Sequence, residues 1–395
     1  MKTIKNLIKI EMNEHLCNEL IPFWNRLADY ENGGFYGYVS HDGKIDKTYP
    51  KGAVLNLRIL WFYSKCYIIT KDENCLKMAK HCYDFIVKHF IDNQYGGIYW
   101  LVSAKGTPID TMKHSYSHAF FIYAMSNYYE ASGDVNALKY AYEQFRTFHK
   151  KNPDYTEACE RKWERTSSTK TTGAILHLIE SFTELYRVCL DIPQLKKLEC
   201  SAQRRVERLL ELVYYDMYES HKKRLPEIFD NRMNKSDSIY SYGHFVEAAW
   251  LIGGTLDVMK GIIPIKLESK IRQMNHDLIE TADTFAFATT ETLMCYDEKD
   301  KIVNRRKAWW TQAEGIVGFL DDYKRFGSKK SLYRAVKLWD GVKSQMLARE
   351  YCSQGVEWIN ELDENAIPDK EMPLVNEWKC PYHTGRMALW VLENL

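Results

Sequence analysis

The chain has 395 residues, 45% apolar and 27% charged, a composition that excludes a disordered or fibrous protein and supplies a large core. Its 54 basic and 53 acidic side chains are mixed along the chain and leave a net charge of +1, so no basic tract points to nucleic acid. No apolar run approaches the ~18 residues of a membrane span.

The ten cysteines are scattered and none forms a CxxC pair, while the first residues mix charges into an amphipathic pattern instead of a secretory signal. Reduced thiols and a cytoplasmic location are the expectation. Aromatic residues reach 14%, with 27 Tyr, 16 Phe and 11 Trp. They suit a wide helical core, or the walls of a sugar pocket whose rings meet the apolar face of a pyranose.

Apolar residues at three- and four-residue spacing predict a first helix over 4–25. Gly33-Gly34-Phe35-Tyr36-Gly37-Tyr38 then leads to a His41-Asp42-Gly43 turn and reads as a short hairpin. Helices over 51–70 and 73–92 follow, then a second hairpin from Gly96-Gly97-Ile98-Tyr99-Trp100 to Lys105-Gly106. Further helices are predicted over 114–131 and 134–150, separated by Ser132-Gly133-Asp134, and over 171–190 and 193–214. The series continues with 242–260, 265–285, 307–326 and 329–348, a third strand-like piece at Gly355-Val356-Glu357-Trp358, and a last helix over 380–394. These twelve helices, paired by short turns and separated by longer loops, fit either an open solenoid or a closed ring. Neither end shows a clear polar cap, which favours closure: one domain over 1–395 with the long loops, and hence a pocket, at one end.

Polar residues in apolar surroundings mark candidate chemistry. His244 and Glu247 lie three apart on one helix face, where a carboxylate either steadies a general-base imidazole or ties helices together. Pro381 suits the first turn of the last helix and places His383 near its N-terminus, where the dipole favours a neutral base; a capping histidine is the plainer alternative. His177 sits in a strongly apolar helix, a usual place for a satisfied core histidine. His114 and His118 have a spacing that metal ligands adopt, but no third ligand accompanies them, and no HExxH, cysteine cluster or calcium loop occurs. No metal and no other cofactor is expected. GxGxxG, GxxxxGK[ST] and GxSxG are likewise absent.

Phe23-Trp24-Asn25-Arg26-Leu27, Glu31 to Gly37, Arg58 to Phe62, Asp110 to Tyr116, Ala174 to Glu180, the His244/Glu247 helix, Trp309 to Glu314 and Trp378 to Arg386 follow one another along nearly the whole chain. As a set they resemble the N-acylglucosamine 2-epimerase superfamily, most closely its cellobiose 2-epimerase branch. The resemblance implies an all-α fold, an (α/α)6 barrel with short β-hairpins at the active-site end. It also implies metal-independent inversion at C2 of a reducing-end sugar, converting the glucose of cellobiose or a related β-1,4-linked disaccharide to mannose through a cis-enediolate. His244 and His383 would be an acid/base pair with pKa values near 7, Glu247 would support His244, and Arg58, Tyr116 and His177 would contact the opened sugar. Trp309, Trp310 and Trp378 would form its walls, with His114 beside them. The partner is a small sugar, and a monomer or weak homodimer is expected. Other readings are a monosaccharide epimerase or aldose–ketose isomerase acting on N-acetylglucosamine or mannose, an impaired carbohydrate-binding homologue, or a glycoside hydrolase, which needs two suitably spaced carboxylates.

The chain departs from the superfamily pattern at Gly173, where asparagine is usual, and at Thr169, where aspartate is usual. It also has His118 for glutamine, Thr384 for asparagine, and a shorter loop from Tyr155 through Trp163 to Ser168.

Overall fold

The computed structural model describes residues 2–164, 166, 169–190, 192–236, 238–287, 293–352 and 354–395; Ser168 of the shortened loop lies outside them. The first predicted helix is a composite of α1 (Lys2–Glu14), a π-helical segment His15–Leu20 and α2 (Ile21–Asn25). The widened segment is where another chain element intrudes. The carbonyl of Glu19 accepts from the Val356 amide at 3.0 Å, and the Trp358 indole donates to His15 Nε2 at 2.9 Å. Gly355 permits this approach: its φ is +67°, and a Cβ there would lie 2.2 Å from the Phe23 nitrogen.

Five helical hairpins and a final helix follow: α3 (Ala53–Thr70) and α4 (Glu73–His89), α5 (Ser115–Ser132) and α6 (Val135–Lys151), α7 (Thr172–Cys189) and α8 (Lys196–Leu212), α9 (Tyr242–Val258) and α10 (Ile265–Phe285), α11 (Trp309–Phe326) and α12 (Lys329–Gln345), then α13 (Pro381–Asn394). Helices α3, α5, α7, α9, α11 and α13 pack each on the next, and α13 packs back on α3, which closes an inner ring. Each has an outer companion, α1 serving α13. The fold is an (α/α)6 barrel.

Sequence decides which helices go inside. Helix α3 buries thirteen of its residues, among them Asn56 and Arg58, with its apolar side chains spread around the axis. Helix α8 buries a stripe of Leu198, Ala202, Val206, Leu209 and Leu210 and keeps a wet face, as an outer helix must. The short turns carry ordinary stop and start chemistry. Gly133 adopts φ +73° after α5, and Asp134 then caps α6 by accepting from the Asn136 amide.

All long loops emerge at the end where the inner helices begin. Five of these helices start directly after a short strand (51–52, 113–114, 169–171, 239–241 and 307–308), and each such strand pairs with the loop that follows the same helical hairpin. The loops are therefore laced into a collar by pairings between loops, as well as by local hairpins such as 297–299 with 302–304. A buried lysine stands two residues ahead of five inner helices: Lys51, Lys113, Lys170, Lys307 and Lys379. Lys51 bonds Asp29 at 2.7 Å, Lys113 bonds Asp92 at 3.0 Å, Lys170 and Lys307 bond loop carbonyls, and Lys379 faces Glu357 at 3.4 Å. Buried ion pairs of this kind fix position more than they add net stability. Among the described residues no helix is long and apolar enough to cross a membrane.

Candidate active site

The collar surrounds a cavity of about 270 Å³ into which the N-termini of the inner helices converge. Residues on one face of a helix recur every three or four positions, so each helix start can contribute two tiers of side chains. The upper tier comes from second and third helical residues: Tyr116, Gly173, His244, Trp310 and His383. The lower tier is the sixth residue of every inner helix: Arg58, Phe120, His177, Glu247, Glu314 and Arg386.

His244 is held by Glu227, whose Oε2 lies 2.7 Å from Nδ1. Glu227 is fixed in turn by its backbone, which donates to Ile239 and accepts from Thr172 at the start of α7. Burial alone lowers the His244 pKa, but the charge and hydrogen bond of Glu227, with Glu247 and Asp297 beyond, raise it to about 9. This corrects the expected partnership with Glu247. Three-residue spacing on a helix puts Glu247 one turn deeper, where its Oε1 accepts from Arg386 Nη2 at 2.5 Å instead. Its Oε2 is buried without a hydrogen-bond partner. Glu227 lies seventeen positions upstream in a different loop, beyond the reach of periodicity.

His383 occupies the expected first turn of α13, with Pro381 at its start, and its Nδ1 lies 2.6 Å from Glu314 Oε1. Its pKa is held well below 6.5, first by burial and then by the Arg58 and Arg386 guanidinium groups, against the pull of Glu247. Glu314 is shared with Arg386 at 2.6 Å, so much of its charge is already balanced. The two histidines thus do not share a pKa near 7; one environment charges its imidazole and the other keeps it neutral. Both Nδ1 atoms face carboxylates, which leaves Nε2 as the working nitrogen of each.

Arg58 lies buried over Phe120 and Tyr382, at 4.3 and 4.6 Å from the ring centres, and donates to the Trp378 carbonyl. The Tyr116 hydroxyl, its pKa raised by burial, remains a neutral donor on the cavity wall. His177 packs edge-on against Tyr116, bonds Glu180 at 3.0 Å through Nδ1, and has no partner at Nε2; burial lowers its pKa. Trp309, Trp310 and Trp378 all line the cavity, and Trp378, 41% exposed, stands at its mouth beside Trp100. Unforeseen wall residues are Tyr296, Asn360, Glu361 and Met372, all from collar loops.

His114 rests on Trp100, ring centres 4.2 Å apart, while His118 turns away to Phe148 and Trp163 and bonds the His114 carbonyl. Among the described residues neither belongs to a group of three metal-ligating side chains. Among the described residues one cluster of metal-ligating type exists, Glu247, Glu314 and His383, and the Arg386 guanidinium already occupies it at 2.5 and 2.6 Å from the two carboxylates.

The other departures fall around this core. A Cβ at Gly173 would stand 3.1 Å from both His244 Nε2 and the Tyr116 hydroxyl, so this glycine adjoins the reacting face. Thr169 bonds the Glu157 carboxylate at 3.2 Å. Trp163 anchors the shortened loop by donating to the Tyr95 carbonyl at 3.1 Å. Thr384 is fully buried. The two carboxylates on the cavity wall are committed elsewhere, Glu247 to Arg386 and Glu361 to Arg306, which disfavours a glycosidase pair there.

A family model for N-acylglucosamine 2-epimerase matches residues 34–384. A cellobiose 2-epimerase of Ruminococcus albus is 37% identical, covering 97% of this chain and 98% of its own. One from Dictyoglomus turgidum is 36% identical, covering 98% and 99%. The structure of the cellobiose 2-epimerase of Bacillus thermoamylovorans B4167 superposes with a TM-score of 0.90 at 31% identity, covering all of both chains.

Proposed function

The chain belongs to the N-acylglucosamine 2-epimerase family, and on that premise we propose that it is a cellobiose 2-epimerase, which inverts C2 of the reducing-end glucose of cellobiose or a related β-1,4-linked disaccharide. The observation that carries the reading is the pair of oppositely tuned histidines in one sugar-sized cavity. Titratable groups whose environments push their pKa values apart divide the roles of acid and base.

The sugar ring opens first, and the aldehyde acidifies the hydrogen on C2. Neutral His383 removes this proton through Nε2, leaving a cis-enediolate. Arg58 and the Tyr116 hydroxyl hold the negative charge on O1 and O2, aided by the inner-helix N-termini that face the same cavity. After rotation about C2–C3, the His244 imidazolium gives its Nε2 proton to the other face of C2, and mannose results. The cycle ends with the two protonation states exchanged, and solvent restores them. Trp309, Trp310 and Trp378 supply stacking surface, and the non-reducing sugar lies toward the collar. His177 orients Tyr116, and His114 backs the aromatic wall through Trp100. We read residues 1–395 as one catalytic domain, because closure requires α13 to meet both α1 and α3. The scattered cysteines, none in a CxxC pair, favour a reducing, cytoplasmic setting.

The test is incubation with cellobiose in deuterated water, followed by NMR. Glucosyl-mannose carrying deuterium at C2 is expected. Cellobiulose would show that the proton goes to C1, free glucose would show hydrolysis, and either as the main product would refute the assignment.

A further inference from the structure

The barrel has a second cavity at the opposite end, among the C-terminal halves of the inner helices. It measures about 280 Å³, and Arg386 and Glu180 stand on its wall at the level that divides it from the first. Two of its lining residues carry buried donors that lack partners among the described residues: Trp61 Nε1 and Arg386 Nε, on residues only 2% and 4% exposed. An unsatisfied buried donor is costly, so both call for acceptor atoms.

The rest of the wall restricts what can supply them. Trp61 stacks on Tyr123 at 5.7 Å, Trp250 lies over Arg386, and Trp390 completes an aromatic lining. The rim charges are matched: Asp257 with Arg325 at 2.9 Å, and Lys65 with Glu393 at 3.1 Å. Over the whole lining four basic side chains face five acidic ones, so no basic excess is left to select an anion. Gly254 adds a further sign. It lies within α9, where glycine is less favourable than alanine, yet its φ is ordinary and an added Cβ would meet nothing within 4 Å. Neither strain nor packing explains this glycine; the open space beside it is the cavity.

We propose that this cavity is a second sugar site, taking one neutral pyranose, and that it is linked to the first through Arg386. A pyranose supplies an apolar face for the aromatic walls and hydroxyl oxygens for both donors. Arg386 lines this cavity with its Nε unpartnered, and it uses Nη1 toward Glu180 and Tyr382, and Nη2 toward Glu247 and Glu314, the carboxylate on His383. A ligand that draws on Nε therefore changes how firmly Glu314 is held.

The probe is 1,5-anhydro-D-glucitol, a pyranose that cannot open, titrated into the full-length protein while indole N–H resonances are followed by NMR. The Trp61 resonance, assigned through Trp61→Phe, should shift with saturation. In Gly254→Phe, which fills the cavity, it should stay still while basal kcat and KM for cellobiose hold. At saturating cellobiose the probe should change wild-type kcat by at least about twofold and leave Gly254→Phe unaffected. If Gly254→Phe fails to fold, Trp61→Phe carries the comparison, with the kcat effect weakened at least about fivefold. An unmoved Trp61 resonance overturns the site; a shift without a kcat change overturns the link. The resonance reports binding directly, so the site stands or falls separately from the reaction proposed for the first cavity.

Discussion

Replacing Glu227 by glutamine tests the division of labour between the histidines. The substitution keeps the shape of the side chain and removes its charge from His244 Nδ1, 2.7 Å away. His244 stands at about 9 against an ordinary 6.5, a gap that corresponds to about 3 kcal/mol in favour of the imidazolium. Without Glu227, burial outweighs any single remaining influence, Glu247 and Asp297 included, and returns the pKa toward the ordinary 6.5. At pH 8 the protonated fraction falls from about nine-tenths to about three hundredths, so kcat should fall about 30-fold. The sign is definite: an acid with a raised pKa is competent below about 9 and loses its proton above it. Wild-type kcat should therefore decline only above pH 9, and Glu227→Gln should move that limb down by about two units. Initial rates of cellobiose epimerisation between pH 5 and 10 would show this, with circular dichroism to confirm folding. An alkaline limb that stays near 9 in the variant, or a loss of equal size at every pH, would refute the reasoning.

His383→Ala should reduce epimerisation by about 1,000-fold or more with a largely preserved melting curve; full activity would remove it from the mechanism. Gly173→Ala places a methyl group 3.1 Å from His244 Nε2 and the Tyr116 hydroxyl, and the displacement should lower kcat/KM about tenfold, measured by the same assay; an unchanged or higher value would contradict the crowding. Gly355→Ala sets a Cβ 2.2 Å from the Phe23 nitrogen at φ +67° and should cost about 3 kcal/mol, read from the urea midpoint. Prolonged chelation should leave the rate unchanged, because Arg386 holds the place between Glu247 and Glu314; a loss reversed by added metal would count against this.

Helix positions were legible because apolar spacing alone determines them. The ranges predicted from periodicity for α9 and α10 end within two residues of Val258 and at Phe285. The π-helical break in the first helix was hidden, since its cause is a carbonyl taken by Val356, more than 300 residues later. Collar strands of two or three residues carry no alternation to read, and their partners lie in other loops. In the site, His244 and His383 stood out as polar residues among apolar neighbours. Glu227 did not, because nothing local distinguishes a loop glutamate that bonds a distant histidine. Glu314 and Arg386 lay within motifs already quoted, but their roles appear only when the ring brings the sixth residues of α9, α11 and α13 together.

The lysines ahead of the inner helices carry a consequence for what such a frame can host. Counting seven residues on from each pairs Lys51 with Arg58, Lys113 with Phe120, Lys170 with His177, Lys307 with Glu314 and Lys379 with Arg386; Tyr240 and Glu247 make the sixth pair. The spacing is what one helical hairpin repeated around a circle would show. The first landmark is lysine in five of the six repeats, and the second is arginine, phenylalanine, histidine or glutamate. A frame of this kind holds constant the residue that fastens a loop and varies the one that faces the axis, so new chemistry can be seated on it without altering the fastening.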